Sequence, residues 1–430
     1  MKLVEFVPPV KHPLWKLCLQ MGITDVIVKV NPSLTGLPDP WRYETLKRIV
    51  DGLKAEGLTV VGLEGDPFDM SPIKQFGERA TGETPVAPAM PTGETPPEML
   101  GRRASRPSGV AEREEALAHY RELLESMAKL GIHLLCYNFM VGPGWSRTGV
   151  RSVRGGAKAT YFNKAEYEAQ FRNSTGPTGI LPVGGGTGPT GILPVGGEEG
   201  RDGRGTCRSG EERLFLPKPQ VWANYEYFIK SVMPTAERVG VRMGLHPDDP
   251  CLPELGGYAR IFETVADYDR AYAIYPSEAN AVTFCQANFK LMITPGRDGQ
   301  DARRPSDGAD GQDARRPSDG ADGQDARRPS VGLVEVAKHF GKRIAFIHVR
   351  DVEGDKTDFT ELFHDQGTTD QFALMRTYRE LGLDVPVRGD HVPEMEGDRL
   401  LTSDCVPGYF TLGRLFANGY LKALLKGTNN

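Results

Sequence analysis

No Cys-x-x-Cys pair, no long apolar run and no dense basic stretch occurs in this chain of 430 residues. The six cysteines, at positions 18, 136, 207, 251, 285 and 405, show no short spacing, so neither a zinc ribbon nor a disulfide framework is expected. The N-terminal MKLVEFVPPVKHPLW meets two prolines too early for a signal-peptide core or a membrane span, and a cytoplasmic protein is expected. A formal charge of −5 and a pI near 6.0 leave no basic surface for nucleic acid. Hydrophobic residues at 39% still suffice for a sizeable core. The 51 glycines and 33 prolines that dilute them are unevenly placed.

Much of that glycine and proline falls in three tracts. TGPTGILPVGGG at 175–186 recurs from Thr187, GQDARRPSDGAD at 299–310 recurs from Gly311 and starts again at Gly323, and TGETP occurs twice between 81 and 96. Such segments cannot bury enough apolar surface to offset their chain entropy. Disordered inserts are therefore expected at about 77–110, 174–212 and 295–330, in surface loops of one catalytic domain spanning 1–430.

Outside the inserts the pattern alternates. Short β-branched runs at 3–6, 25–30, 59–63, 133–137, 241–245, 281–284, 344–347 and 385–387 are separated by helical patterns at 14–21, 41–56, 112–130, 225–239, 265–273, 334–340 and 372–381, with an eighth at 410–425. Eight strands alternating with eight helices predict an α/β fold of the closed kind, a (β/α)8 TIM barrel.

Four candidate metal ligands stand where such strands run out: His246 in RMGLHPDDP, Cys285 in AVTFCQ, His348 in RIAFIHVRD and Asp390 in VPVRGDH. Residues so far apart in sequence meet only if their strands are parallel neighbours, as at the active face of such a barrel. A thiolate disfavours Mg²⁺ or Ca²⁺, while two imidazoles and a carboxylate suit a first-row ion such as Mn²⁺, Fe²⁺ or Zn²⁺. Asp248 or Asp249 is placed to orient the His246 ring. Glu64 and Asp66 read either as substrate-side acids or as a helix cap.

Taken together, HPDDP, TFCQ, FIHVRD and RGDH resemble the mannonate dehydratase family, metal-dependent barrels related in architecture to xylose isomerase. CYNFM at 136–140, WSRT at 145–148, RGGA at 154–157 and PGYF at 407–410 fall in the family's order. The resemblance implies dehydration of D-mannonate to 2-keto-3-deoxy-D-gluconate in hexuronate breakdown, with Mn²⁺ or Fe²⁺ as cofactor. It places the metal on His246, Cys285, His348 and Asp390, and catalytic roles on His391 and Tyr409. Taking a weakly acidic proton α to a carboxylate calls for a cation at that carboxylate and a second group to protonate the departing hydroxyl. Arg147, Arg350 and Arg388 are candidates to bind the anionic substrate, since a guanidinium fork suits it.

A sugar isomerase or epimerase of the related barrels is the competing enzyme class, and Cys285 argues against it because those sites are carboxylate-rich. A barrel that has lost turnover and persists as a binding protein is the non-enzymatic alternative, against which stand Arg388, Asp390, His391 and Tyr409. The expected partner is a small sugar acid, and self-association is an open expectation. Of the other histidines, His364 in ELFHDQG is the one expected to reach the mouth.

Overall fold

The computed structural model describes residues 1–77, 109–174, 215–294, 328–401 and 406–428. Nearly all of the three expected inserts therefore lie outside the described residues, as do Arg102, Arg103, Cys207 and Cys405. At their edges, Ser174 ends a helix, while Val110 and Arg328 begin others.

Eight parallel barrel strands match the eight runs read from the sequence. They are β1 (Lys2–Leu3 and Glu5–Val7, interrupted at Val4), β2 (Asp25–Val28), β3 (Thr59–Glu64), β4 (Leu134–Tyr137), β5 (Arg242–Leu245), β6 (Asn280–Cys285), β7 (Ile344–Val349) and β8 (Pro386–Gly389). The two halves of β1 close the ring: Lys2 and Leu3 pair with β8, and Glu5 to Val7 pair with β2. Between them the order is sequential, β2 to β3, β4, β5, β6, β7 and β8. Each of the main outer helices corresponds to an expected one: α1 (Pro13–Gln20), α2 (Tyr43–Ala55), α3 (Val110–Lys129), α4 (Lys218–Val239), α5 (Val265–Ile274), α6 (Arg328–Phe340), α7 (Gln371–Glu380) and α8 (Thr411–Gly427). Local chemistry starts them where expected. The Asp370 carboxylate accepts from Ala373 N at the head of α7, and Thr264 with Asp267 forms a capping box on α5.

Every residue of β6 and β7 is buried, as expected of strands covered by helices on one side and lumen on the other. Val4, Ile27, Leu134, Ala281, Ala345 and Phe346 fill the lumen, and the larger apolar layer lies between strands and helices. A filled lumen leaves chemistry only at the mouth. Register then brings side chains together there: Cys285 pairs with His348, and His348 with Arg388, across β6, β7 and β8.

One element was not read from the sequence. Gly149–Ser152, Lys158–Asn163, Val352–Asp355 and Asp358–Glu361 form a four-stranded antiparallel sheet, which packs its own apolar cluster around Phe162, Phe359 and Leu291. Its last strand delivers Glu361 to the barrel mouth. Among the described residues, no helix is long and apolar enough to cross a membrane.

Candidate metal centre and active site

His246, Cys285, His348 and Asp390 converge: one potential ligand atom from each lies within 4.8 Å of all the others. His246 follows β5, Cys285 ends β6, His348 lies in β7 and Asp390 follows β8, so four consecutive strands supply the set. Its chemistry fits a divalent cation on three observations. His246 Nδ1 lies 2.8 Å from Pro247 O, which requires the proton on Nδ1 and leaves a lone pair on Nε2. His348 Nδ1 is buried, 3.8 Å from Asp390 Oδ2, and has no hydrogen-bond partner among the described residues. An orphaned buried ring nitrogen costs free energy unless a cation or another group takes it. Burial by itself would raise the Asp390 carboxyl, but His391, Arg388, His348 and Arg350 around it hold it well below the usual carboxylate range. The carboxylate is thus ionised, as a ligand must be. Cys285 Sγ lies 2.8 Å from Asn288 Oδ1 and 4.0 Å from Asp390 Oδ2.

The cluster opens on a cavity of about 370 Å³ whose lining includes Glu64, Trp145, Arg388, His391 and Tyr409. His391 Nδ1 is 3.0 Å from Glu361 Oε1, and the ring stands edge-on to Trp145 and Tyr409, at 4.9 and 5.2 Å between centroids. Tyr409 reaches the same wall because Gly408 adopts φ +90° and returns its carbonyl to Val392 N at 2.8 Å. The phenol donates to Asp390 Oδ1 at 3.4 Å, and burial followed by the Asp390 charge pushes its ionisation up. The PGYF motif is thus a turn that sets one phenol beside one imidazole.

Beneath this pair lies a buried network of two arginines and two acids. Arg147 gives its N–H groups to Asp249, Glu361 and Ser146 O, and its Nη2 also lies 3.5 Å from His391 Nδ1. Arg350 reaches Glu361 through Nε at 2.7 Å and Nη2 at 2.5 Å, and Asp249 through Nη1 at 2.8 Å. Burial would raise Glu361, yet Arg350, Arg147 and His391 outweigh it and hold its pKa at about 2. Asp249 is held lower still by Arg147 and Arg350 against the same burial. Sequence reasoning missed Glu361 altogether. The Asp355 carboxylate accepting from Thr357 N and Asp358 N marks the hairpin that could have signalled it, in VEGDKTDFTEL.

Each remaining expectation has a definite place. Arg388 lines the cavity and forks onto Glu64, Nη2 to Oε1 at 2.6 Å and Nε to Oε2 at 3.1 Å. Glu64 Oε2 lies 3.6 Å from His348 Nε2 as well, so this acid is part of the site and caps no helix. Arg147 and Arg350 are wholly buried and do not line the cavity; beyond Asp249 and Glu361, Arg147 serves Ser146 O, and Arg350 Nη1 reaches Asn288 Oδ1 at 2.9 Å and lies 3.8 Å from both Cys285 Sγ and Asp390 Oδ2. The His246 ring is held by Pro247 O and not by Asp248 or Asp249, a correction to the expected pairing. Asp248 instead accepts from the backbone of Ile261 and Phe262, and Asp249 serves the two arginines. Asp66 pairs with Lys74 at 2.7 Å. His364 does not reach the mouth. It is buried with Nε2 on Val349 O at 2.8 Å.

A family model described as D-mannonate dehydratase (UxuA) matches residues 106–295 and 321–430. A mannonate dehydratase of Chromohalobacter salexigens is 26% identical over 403 residues, covering 81% of this chain and 93% of its own. One from Bacillus subtilis is 27% identical over 325 residues, 74% of this chain and 75% of its own. The crystal structure of mannonate dehydratase from Streptococcus suis serotype 2 aligns with a TM-score of 0.63 at 19% identity, covering all of this chain and 95% of that one, which supports the shared barrel. Because the family model spans well over half of the sequence, the chain belongs to the D-mannonate dehydratase family.

Proposed function

We propose that this barrel removes water from D-mannonate to give 2-keto-3-deoxy-D-gluconate, with His246, Cys285, His348 and Asp390 holding Mn²⁺ or Fe²⁺ and with His391 and Tyr409 moving the protons. The reaction class is the family's, that of a metal-dependent hydro-lyase acting on a small sugar acid. The carrying observation is the four-strand convergence of two imidazoles, a thiol and a carboxylate beside the imidazole of His391. A divalent cation bound there supplies Lewis-acid stabilisation of the charge that grows on the substrate carboxylate.

The protein groups divide the remaining work by their hydrogen bonds. Glu361 Oε1 accepts a hydrogen bond from His391 Nδ1–H, which keeps the proton on Nδ1 and leaves the Nε2 lone pair available to abstract the C2 proton. Tyr409, a phenol kept protonated by its buried setting, donates to the departing C3 hydroxyl, which leaves as water. The resulting enol takes a proton at C3 and its C2 hydroxyl becomes the keto group, so atoms balance. Arg388 on the cavity wall gives Nε and Nη2 to Glu64 and Asp390 and one Nη1 hydrogen to Gly389 O, and offers its remaining Nη1 N–H to substrate oxygens. Arg350 acts on His391 through Glu361, and Arg147 both through Glu361 and directly, with Nη2 3.5 Å from His391 Nδ1.

His391→Asn is expected to lower kcat by about 10²–10⁴-fold while metal content stays at the wild-type level. Tyr409→Phe is expected to lower kcat by about 10²-fold or more with little change in KM. Both are read by formation of a 2-keto-3-deoxy acid from D-mannonate, beside a panel of epimeric sugar acids and aldoses, after chelation and reloading with Mn²⁺ or Fe²⁺. Turnover of an aldose alone would move the protein to the isomerases. Undiminished turnover in His391→Asn would remove its catalytic role. A single catalytic domain, a cytoplasmic setting and a homo-oligomeric state belong to the same proposal, the last two checked by cell fractionation and light scattering.

A further inference from the structure

The cavity extends beyond the groups this chemistry uses. The proposed ligands hang on β5 to β8, whereas the lining continues across the ring to His12, Lys29 and Leu34, which follow β1 and β2. Lys29 stands out among the cavity's cations. Arg388 is forked onto Glu64, and Arg414 donates to Phe6 O at 2.9 Å. The half-buried Lys29 Nζ has no hydrogen-bond or ion-pair partner among the described residues. Glu64, which lines the same cavity, is already forked by Arg388.

Lys29 is also positioned. Its stem lies over Gly65, where an added Cβ would stand 3.2 Å from Lys29 Cε and 3.3 Å from Cδ. Gly65 has φ +86°, a conformation that favours glycine, so the backbone at this point keeps the space open. The lysine is therefore a three-donor cation in the cavity lining, just after β2, while the proposed metal ligands stand on β5 to β8.

We infer that Lys29 is a specificity-determining contact for the far end of the substrate: with the acid's carboxylate end at β5 to β8, the ammonium takes the distal hydroxyls of a six-carbon aldonate. This rests on the sugar-acid reading above. A contact far from C2 and C3 is made equally in the ground and transition states, so its loss raises KM and leaves kcat in place. Short acids that end before the ammonium do not feel it. Lys29 thus reads chain length.

The test uses the full chain loaded with Mn²⁺, as wild type, Lys29→Met and Lys29→Arg. Kinetics are followed with D-mannonate, and calorimetry measures binding of six-carbon D-gluconate and three-carbon D-glycerate. The expected result is a KM for D-mannonate about tenfold higher in Lys29→Met at unchanged kcat. Most of that loss is recovered in Lys29→Arg, D-gluconate binding weakens in parallel, and D-glycerate binding is equal in all three proteins. An unchanged KM, a fall in kcat alone, or an equal loss of D-glycerate and D-gluconate binding overturns the inference. A wild-type protein inert towards D-mannonate overturns the dehydratase reading instead, and the ratio of D-gluconate to D-glycerate binding then still decides the role of Lys29.

Discussion

Cys285→Ala is expected to abolish turnover by abolishing metal binding, while leaving the barrel folded. Cys285 contributes the one soft donor of the set, at the end of a strand whose register partner is His348. Alanine leaves two imidazoles and a carboxylate, a poorer trap for Mn²⁺ or Fe²⁺ and an open one. Only one sulfur atom is removed from a buried position beside Asn288, so the cost to the apo fold is small by comparison. Three readouts separate these effects. Metal content by mass spectrometry falls from near stoichiometric to background. Formation of the 2-keto-3-deoxy acid falls with it. Excess metal raises the melting temperature of the wild type, with a stabilisation of about 2.7 kcal/mol at one hundred times Kd, and does not move that of the variant. A Cys285→Ala protein that keeps its metal and its rate would remove the thiolate from the site.

How much of this was legible depended on whether a feature is local in sequence. The strands were legible because each is a short β-branched run, and the ligands because each stands at the end of one, where parallel register brings Cys285 beside His348. Partnerships between distant polar residues were not. Arg147 and Glu361 lie 214 positions apart and meet where an antiparallel sheet joins the loops that follow β4 and β7. For that reason a guanidinium in WSRT or HVRD reads equally well as a substrate clamp or as a buried ion-pair member. Only Arg388, of the three, combines a place on the cavity wall with a site role. HPDDP was legible as a site motif but not in its division of labour, because adjacent acids on an extended exit point to different sides: Asp248 to a loop backbone, Asp249 to the arginines.

Glu361→Gln is expected to destabilise the protein by about 3–5 kcal/mol at neutral pH, since it removes an acid that contacts both buried arginines and leaves Asp249 as the one carboxylate shared between them. The pH dependence tests the cause. Glu361 has a pKa of about 2 in the folded protein against an ordinary value of 4.5, so its contribution is complete above about 4.5 and is lost as pH falls towards 2. Urea unfolding of wild type and variant should therefore show a gap that is constant from pH 7 to 5 and narrows below it, because the wild-type carboxylate takes up a proton on unfolding and the amide cannot. A packing defect predicts no such narrowing. The same substitution replaces the charged acceptor of His391 Nδ1 with a neutral amide whose oxygen accepts more weakly, so kcat should fall even under conditions where the variant is fully folded. A gap independent of pH, or full activity in a folded variant, would separate Glu361 from both the charge network and the orientation of His391.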